Sequence, residues 1–225
     1  MPGKLIVLDG LDGSGKTTHH ELLAGKLIDA GIDTVRISFP DYKEPSSTLI
    51  KMYLNGEFGD KPGDVGAYAA SSFYAVDRYA SYKKYWAEDY ANGSLILAAR
   101  YTSSNMFHQM SKLPNIQWDG YLEWIEDFEF VKLGIPKPDR VIFLDMELEA
   151  ARTLLSHRYG GDDAKRDVHE RDFAYLVRCR EAALYACKKM GYEIIPCSEG
   201  NRPLKIDTIQ QRIWEIVLKD IRELS

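Results

Sequence analysis

Nowhere in this 225-residue sequence do apolar residues continue for the ~20 positions that a membrane-spanning helix needs, so no candidate span exists. Cysteine is scarce. Cys179, Cys187 and Cys197 have neither metal-ligand nor paired-bridge spacing, and an odd number of thiols fits a reducing compartment. An excess of positive charge is missing too: 29 Lys and Arg stand against 34 Asp and Glu, for a net −5. A chain that grips nucleic-acid backbone carries a basic face, so that partner is not expected. Small phosphates stay open, because a few focused cations dominate one cleft whatever the total charge. No internal repeat and no linker-like stretch breaks the sequence, and a single α/β domain over 1–225 is expected. The first strand-like run begins at Lys4, where a secretory leader would have to lie, so cytoplasmic location is expected.

What is present is organised around Gly10-Leu11-Asp12-Gly13-Ser14-Gly15-Lys16-Thr17-Thr18, which fits G-x-x-x-x-G-K-[ST] at every position. The apolar run Lys4–Leu8 before it reads as a buried strand. Leu22, Leu23, Lys26 and Leu27 behind it have helical spacing. Strand, glycine turn and helix N-terminus make an anion site, in which backbone N–H groups close on phosphate oxygens and the helix dipole adds positive charge. The expectation is an ATP phosphate cradle at Gly10, Asp12, Gly13, Ser14, Gly15, Lys16, Thr17 and Thr18. Lys16 would reach the β- and γ-phosphates, and the Thr17 hydroxyl would ligate Mg²⁺.

Further strands are predicted at 33–39, stopped by Pro40, and at 94–99, 140–145 and 192–196. Helices are predicted at 65–91, 103–111, 117–133, 147–157, 168–190 and 203–223, with a short helix and turn in 45–59. Five apolar strands separated by helices predict a parallel sheet covered on both faces. The aromatics of 65–91 read mainly as packing residues. The polar, charged loop at 157–167 is the lid candidate. Tyr74 and Arg78, four apart, share a helix face. Spacing alone leaves two readings open: a ring that stacks on a base beside a guanidinium that meets its edge, or a packed Tyr beside a surface Arg.

Several short motifs then fall into one order. Gly10–Lys16, Phe39-Pro40-Asp41-Tyr42, Tyr74-Ala75-Val76-Asp77-Arg78, Arg100-Tyr101 with Ser104-Asn105, Pro136-Lys137-Pro138-Asp139 and Asp167–Asp172 together resemble the thymidylate kinases over nearly the whole chain. The resemblance implies a P-loop NTPase-type three-layer sandwich that moves the γ-phosphoryl of MgATP onto dTMP. It implies a base site of Tyr74, Arg78, Ser104 and Asn105, flanked by Phe39, Pro40 and Tyr42, with His108 against the sugar and Arg100 on phosphate. Asp12 and Glu170 match acids near the sugar 3′-hydroxyl and the metal. The bland alternatives are a surface His108, a loop-capping Asp12 and a solvated Glu170. The P-loop has Gly13 and Ser14 where some members carry arginine, so the chain resembles the members whose lid supplies it. Arg158, Lys165 and Arg166 are the candidates. The resemblance also implies a homodimer through the long helices of 65–91 and 117–133.

One position departs. The family usually ends the third strand in Asp-Arg-Tyr or Asp-Arg-His, and this chain reads Ala99-Arg100-Tyr101. Asp77-Arg78-Tyr79 is mid-helix and cannot stand in. Asp9, ending a neighbouring strand, is the nearer substitute, whereas Asp145 reads as structural. Two rivals arise: a deoxynucleoside kinase, and a catalytically impaired nucleotide-binding relative. A carboxylate beside metal and transferring phosphoryl acts in the transition state more than on binding. Ala99→Asp is therefore expected to raise kcat by ~10- to 100-fold while acceptor affinity holds, checked by steady-state assay and calorimetry.

Overall fold

The computed structural model describes residues 2–159, 169 and 172–222, without the side chains of 157–159 and 222. Five parallel strands form the central sheet: β1 (Leu5–Asp9), β2 (Thr34–Ser38), β3 (Leu95–Ala99), β4 (Arg140–Asp145) and β5 (Glu193–Pro196). The five apolar runs predict a parallel sheet, and its strand order is β2-β3-β1-β4-β5. β1 lies in the middle with all five residues buried, and pairs Leu8 with Ala99 of β3 and with Ile142 of β4. The chain leaves β1 for one side of the sheet and later crosses to the other. That switch point opens a crevice beyond the carboxyl end of β1, where a ligand has room.

Side chains alternate across each strand with period two. Ile6 and Leu8 face a core built with Leu23, Ala24 and Leu27 of α1 (Lys16–Asp29) and with Ile209, Ile213 and Val217 of the C-terminal helix, Ile206–Arg222. Leu5 and Val7 face the other layer, with Trp86, Tyr101 and Val141. That layer also holds α5 (Thr102–His108), α6 (Trp118–Glu126) and α8 (Phe173–Met190), whose Phe107, Tyr121 and Ala182 share a core with Phe143. The remaining helices are α2 (Thr48–Leu54), α3 (Ala67–Ser81), α4 (Ala87–Ala91) and α7 (Leu148–Tyr159). The C-terminal helix is α9.

Four boundaries differ from the sequence reading. The long helix of 65–91 is α3 and α4 joined by a π-helical turn, Tyr82–Trp86, which brings Trp86 to full burial. A second π turn, Asp127–Lys132, continues α6 and turns Glu129 into the interior. Each adds a residue to one turn and so rotates the residues beyond it, a shift that hydrophobic periodicity does not register. α8 starts at Phe173, where the Asp172 carboxylate accepts from Tyr175 N at 2.9 Å as an N-cap. α9 starts at Ile206 because 198–203 forms a small hairpin, Ser198–Glu199 against Arg202–Pro203, turning at Gly200 with φ of +53°. Asp145 is structural as read. Arg180 of α8 grips it at 2.8 and 3.0 Å and also reaches Glu147, which ties β4 to that helix.

The three cysteines are buried free thiols. Leu23 is fully buried between sheet and α9, and truncating it leaves a cavity that close packing cannot fill. Leu23→Ala should lower unfolding free energy by about 2–5 kcal/mol in urea titration with the denaturant slope unchanged.

Candidate functional site

The P-loop occupies the turn between β1 and α1; space requires glycine at 10, conformation requires it at 15, and both require it at 13. Gly13 and Gly15 have φ of +80° and +82°. A Cβ at Gly10 would stand 2.5 Å from Ser14 Oγ and 2.9 Å from the Leu144 carbonyl. One at Gly13 would stand 2.6 Å from the Ala151 carbonyl of α7. Ser14 Oγ is buried with no hydrogen-bond partner among the described residues. Thr17 and Thr18 are exposed on the first turn of α1. Asp12, Gly13, Gly15, Lys16, Thr17 and Thr18 line one cleft together with Leu154 and Leu155 of α7. Backbone donors, a helix N-terminus, one ammonium and a hydroxyl fit a polyphosphate. The Thr17 hydroxyl, an oxygen donor on the wall of the same cleft as Asp12, fits a hard, oxygen-seeking cation such as Mg²⁺.

A second pocket adjoins the first and shares Asp12 with it. It encloses about 510 Å³ of empty space, open solvent included. Phe39, Pro40, Tyr42, Tyr74, Arg78, Arg100, Ser104, Asn105 and His108, all singled out in the sequence, line it together. Leu54 and Gln109 line it as well and escaped the sequence reading, and His169, quoted there only within Asp167–Asp172, joins them. Asp77, fully buried, takes hydrogen bonds from Asp41 N at 2.9 Å and Ser46 Oγ at 2.6 Å, which fastens the Pro40–Tyr42 segment to α3.

Arg100 stands at the junction. Among the described residues it is the one non-glycine with positive φ, +66°. A left-handed backbone on an arginine is costly and persists where the surroundings over-determine it. Here they do: the guanidinium meets Asp12, lies 3.3 Å from Ser104 Oγ and 3.2 Å from His108 Nε2, and stands 3.8 Å from Asp9. Lys16 Nζ donates to the Leu11 carbonyl at 2.9 Å and lies 3.6 Å from Asp12. Burial pushes the Asp12 carboxyl up, but Arg100 and then Lys16 outweigh it and hold it well below the ordinary carboxylate range. Burial first, then Arg100, lowers Lys16 to about 8. Asp12 thus does more than cap a loop.

Asp9 sits where the missing acid of position 99 would be felt, one residue beyond the Leu8–Ala99 pair. Its buried carboxylate takes Gly10 N at 2.8 Å, Ser103 Oγ at 2.5 Å and Ser104 Oγ at 2.9 Å. Protein donors use it, and its effect outward passes through Ser104 and Arg100.

His108 is buried, which corrects the surface alternative. Burial first and Arg100 second push its pKa far down, so the ring is neutral. Arg100 can only donate, so Nε2 accepts and the proton sits on Nδ1, which has no partner among the described residues. His108 stacks on His169 at 5.7 Å between centroids. His169 Nε2 lies 2.7 Å from Tyr53 Oη, to which Lys112 Nζ donates at 2.8 Å. Arg78 is not a surface arginine: it is buried and forks onto Glu129, with Nη1 at 3.5 Å from the Tyr101 carbonyl. Glu129, flanked by Phe128 and Phe130, also escaped the sequence reading. A lone acid between two aromatics was its only signal. Of the lid calls, the side chain of Arg158 and the residues Lys165, Arg166 and Glu170 lie outside the described residues, as does most of 157–167.

A glycine-rich phosphate loop at the carboxyl end of a central parallel strand, with a second pocket opening beside it, defines a P-loop NTPase-type α/β protein. The thymidylate kinase family profile matches residues 8–204. The chain is 30% identical over 185 residues to a thymidylate kinase of Mycobacterium tuberculosis (strain CDC 1551 / Oshkosh), covering 81% of this chain and 84% of that one. It is 30% identical over 215 residues to a probable thymidylate kinase of Methanothermobacter thermautotrophicus, covering 94% and 93%. The solved structure of a thymidylate kinase from Candida albicans matches its fold with a TM-score of 0.71 at 24% identity, over 97% of this chain and 92% of that one. This chain belongs to the thymidylate kinase family, and with it to the ATP-dependent nucleoside monophosphate kinases.

Lys112 gives the site a measurable pH signature. Burial lowers its pKa from 10.5 to about 7. The unfolded chain then binds more protons than the folded one between these values, so stability rises with pH through that window. Against Lys112→Met, the wild-type protein should gain stability steadily from pH 7 to 10, read from urea midpoints across the series.

Proposed function

We propose that this protein transfers the γ-phosphoryl group of MgATP to dTMP, giving dTDP, as a single kinase domain spanning the chain. The observation that carries this reading is the meeting of two pockets at Asp12, Lys16 and Arg100, with a polyphosphate cradle on one side and an aromatic, amide-lined pocket on the other. Lys16 and the loop N–H groups hold the donor phosphates. Tyr74 stacks on the acceptor base, Arg78 meets a base carbonyl, and Ser104 and Asn105 complete the base edge. His108 closes the sugar side, and Phe39, Pro40 and Tyr42 form the mouth. Arg100 takes the acceptor phosphate, whose oxygen attacks in line. Positioning and charge neutralisation suffice, and no protein-bound intermediate is formed. Thr17 and Asp12 would hold the Mg²⁺, which supplies charge neutralisation on the donor phosphates. In this reading Arg158 and Arg166 contribute lid cations, and Glu170 an acid near the sugar.

The remaining expectations belong to the same reading. The acidic net charge argues against nucleic acid as a partner, and free nucleotides stay compatible with it because Lys16 and Arg100 focus positive charge in one crevice; no membrane partner is proposed. Among the described residues no helix is long and apolar enough to cross a membrane, and cytoplasmic location is proposed. Tyr68, Val76 and Tyr79 on α3 and Val131 after α6 are exposed, which supports pairing of two copies across these helices. A second reading, an impaired nucleotide-binding relative, is favoured by Ala99 alone.

ADP release measured over a panel of nucleosides and nucleoside monophosphates tests the proposal. Turnover with dTMP supports it. Turnover with thymidine alone makes the protein a deoxynucleoside kinase, and binding without turnover makes it the impaired relative. Lys16→Ala, pointing at ligand and not into the core, should lower kcat with dTMP by at least ~100-fold with thermal melting unchanged.

A further inference from the structure

The buried carboxylate of Glu129 has no place in the chemistry above, yet it is the most heavily engaged acceptor near the second pocket. It is fully buried in the π turn after α6. Oε2 takes Arg78 Nε at 2.6 Å and Thr102 Oγ1 at 2.8 Å. Oε1 takes Arg78 Nη2 at 2.5 Å and Asn105 Nδ2 at 3.2 Å. The other hydrogen of Asn105 Nδ2 goes to the Ser71 carbonyl at 3.2 Å. Two acceptors therefore fix which way round the Asn105 amide sits, since its NH₂ end alone can meet both. What the amide has left to offer is Oδ1, an acceptor. Arg78 Nη1 gives one hydrogen to the Tyr101 carbonyl at 3.5 Å and keeps its second as a donor. Both residues line the second pocket.

We propose that Glu129 is a positioning residue that sets the hydrogen-bond polarity of this pocket, so that it selects a pyrimidine presenting a carbonyl beside a ring N–H over one presenting an amino group beside a bare ring nitrogen. The proposal rests on reading this pocket as the acceptor-base site. A thymine- or uracil-type edge offers an acceptor to Arg78 and a donor to Asn105 Oδ1. A cytosine-type edge opposes donor to donor and acceptor to acceptor at the same two places. A site whose buried polar groups are left unpaired rejects a ligand far more strongly than one that merely fits less well. The selectivity thus traces to one carboxylate that touches neither base.

Glu129→Gln keeps the shape but makes one of the two oxygens a donor. If the new NH₂ occupies the Oε1 place, it faces Arg78 Nη2 and Asn105 Nδ2, and the Asn105 amide turns over. In the Oε2 place it faces Arg78 Nε and breaks the fork. Either way the polarity of the pocket loosens. The test compares wild type and Glu129→Gln in kcat/KM for dTMP and dCMP, in KM for ATP, and in calorimetric affinity for both monophosphates. The expected result is a dTMP-to-dCMP ratio reduced by about tenfold or more, in turnover and in affinity, with KM for ATP within about twofold. Should Glu129→Gln fail to melt cooperatively, Glu129→Asp decides. It keeps the charge but withdraws the carboxylate by one methylene, and should lower the same ratio. An unchanged ratio in the variant that folds, even with dTMP turnover reduced, overturns the proposal and leaves Glu129 a packing residue. If wild type binds dTMP without phosphorylating it, the kinase reading falls, and the affinity ratio still decides for or against Glu129. Wild type that binds neither monophosphate overturns both.

Discussion

The pairing of Arg100 with Asp9 and Asp12 governs the rest of this site. Two carboxylates placed at the ends of adjoining segments repel, and a cation between them offsets that repulsion. One guanidinium answers both, and it reaches them only because its backbone adopts a left-handed conformation. Ser103 and Ser104 supply the remaining donors to Asp9. Arg100 then fixes which nitrogen of the buried His108 carries the proton, and His108 stacks on His169. From β1 outward, each side chain is held by the one before it.

Much of this is legible in the sequence. The P-loop, the five strands and ten of the residues lining the second pocket emerge from short motifs at strand ends and on the helices beside them, where a parallel sheet places its ligands. The part that is not legible has two physical sources. The π turns at 82–86 and 127–132 shift the register of a helix without altering its composition, so Glu129 could not be assigned an inward face from spacing. And partners distant in sequence cannot be counted along it: Arg78 and Glu129 are 51 residues apart, and Tyr53 and His169 are 116 apart. Arg78 read alone could be a surface arginine. Read with Glu129, it is one half of a buried fork.

The substitution at position 99 changes meaning in the folded protein. In sequence it is a lost acid. In the structure, the sheet brings Asp9 alongside, and the hydroxyls of α5 bind that carboxylate in place. A negative charge is retained at the sheet's end, but it is engaged inward and faces Arg100, whereas a side chain from position 99 would start from the neighbouring strand.

Asp12 belongs to the walls of both pockets and touches a cation that faces each. A charge placed in either pocket would therefore be felt at the same carboxylate. An anion that draws Lys16 away leaves Asp12 more tightly committed to Arg100, and one that draws Arg100 away does the reverse. Whatever free energy this transfer carries is shared equally by the two ligands, since linkage is reciprocal.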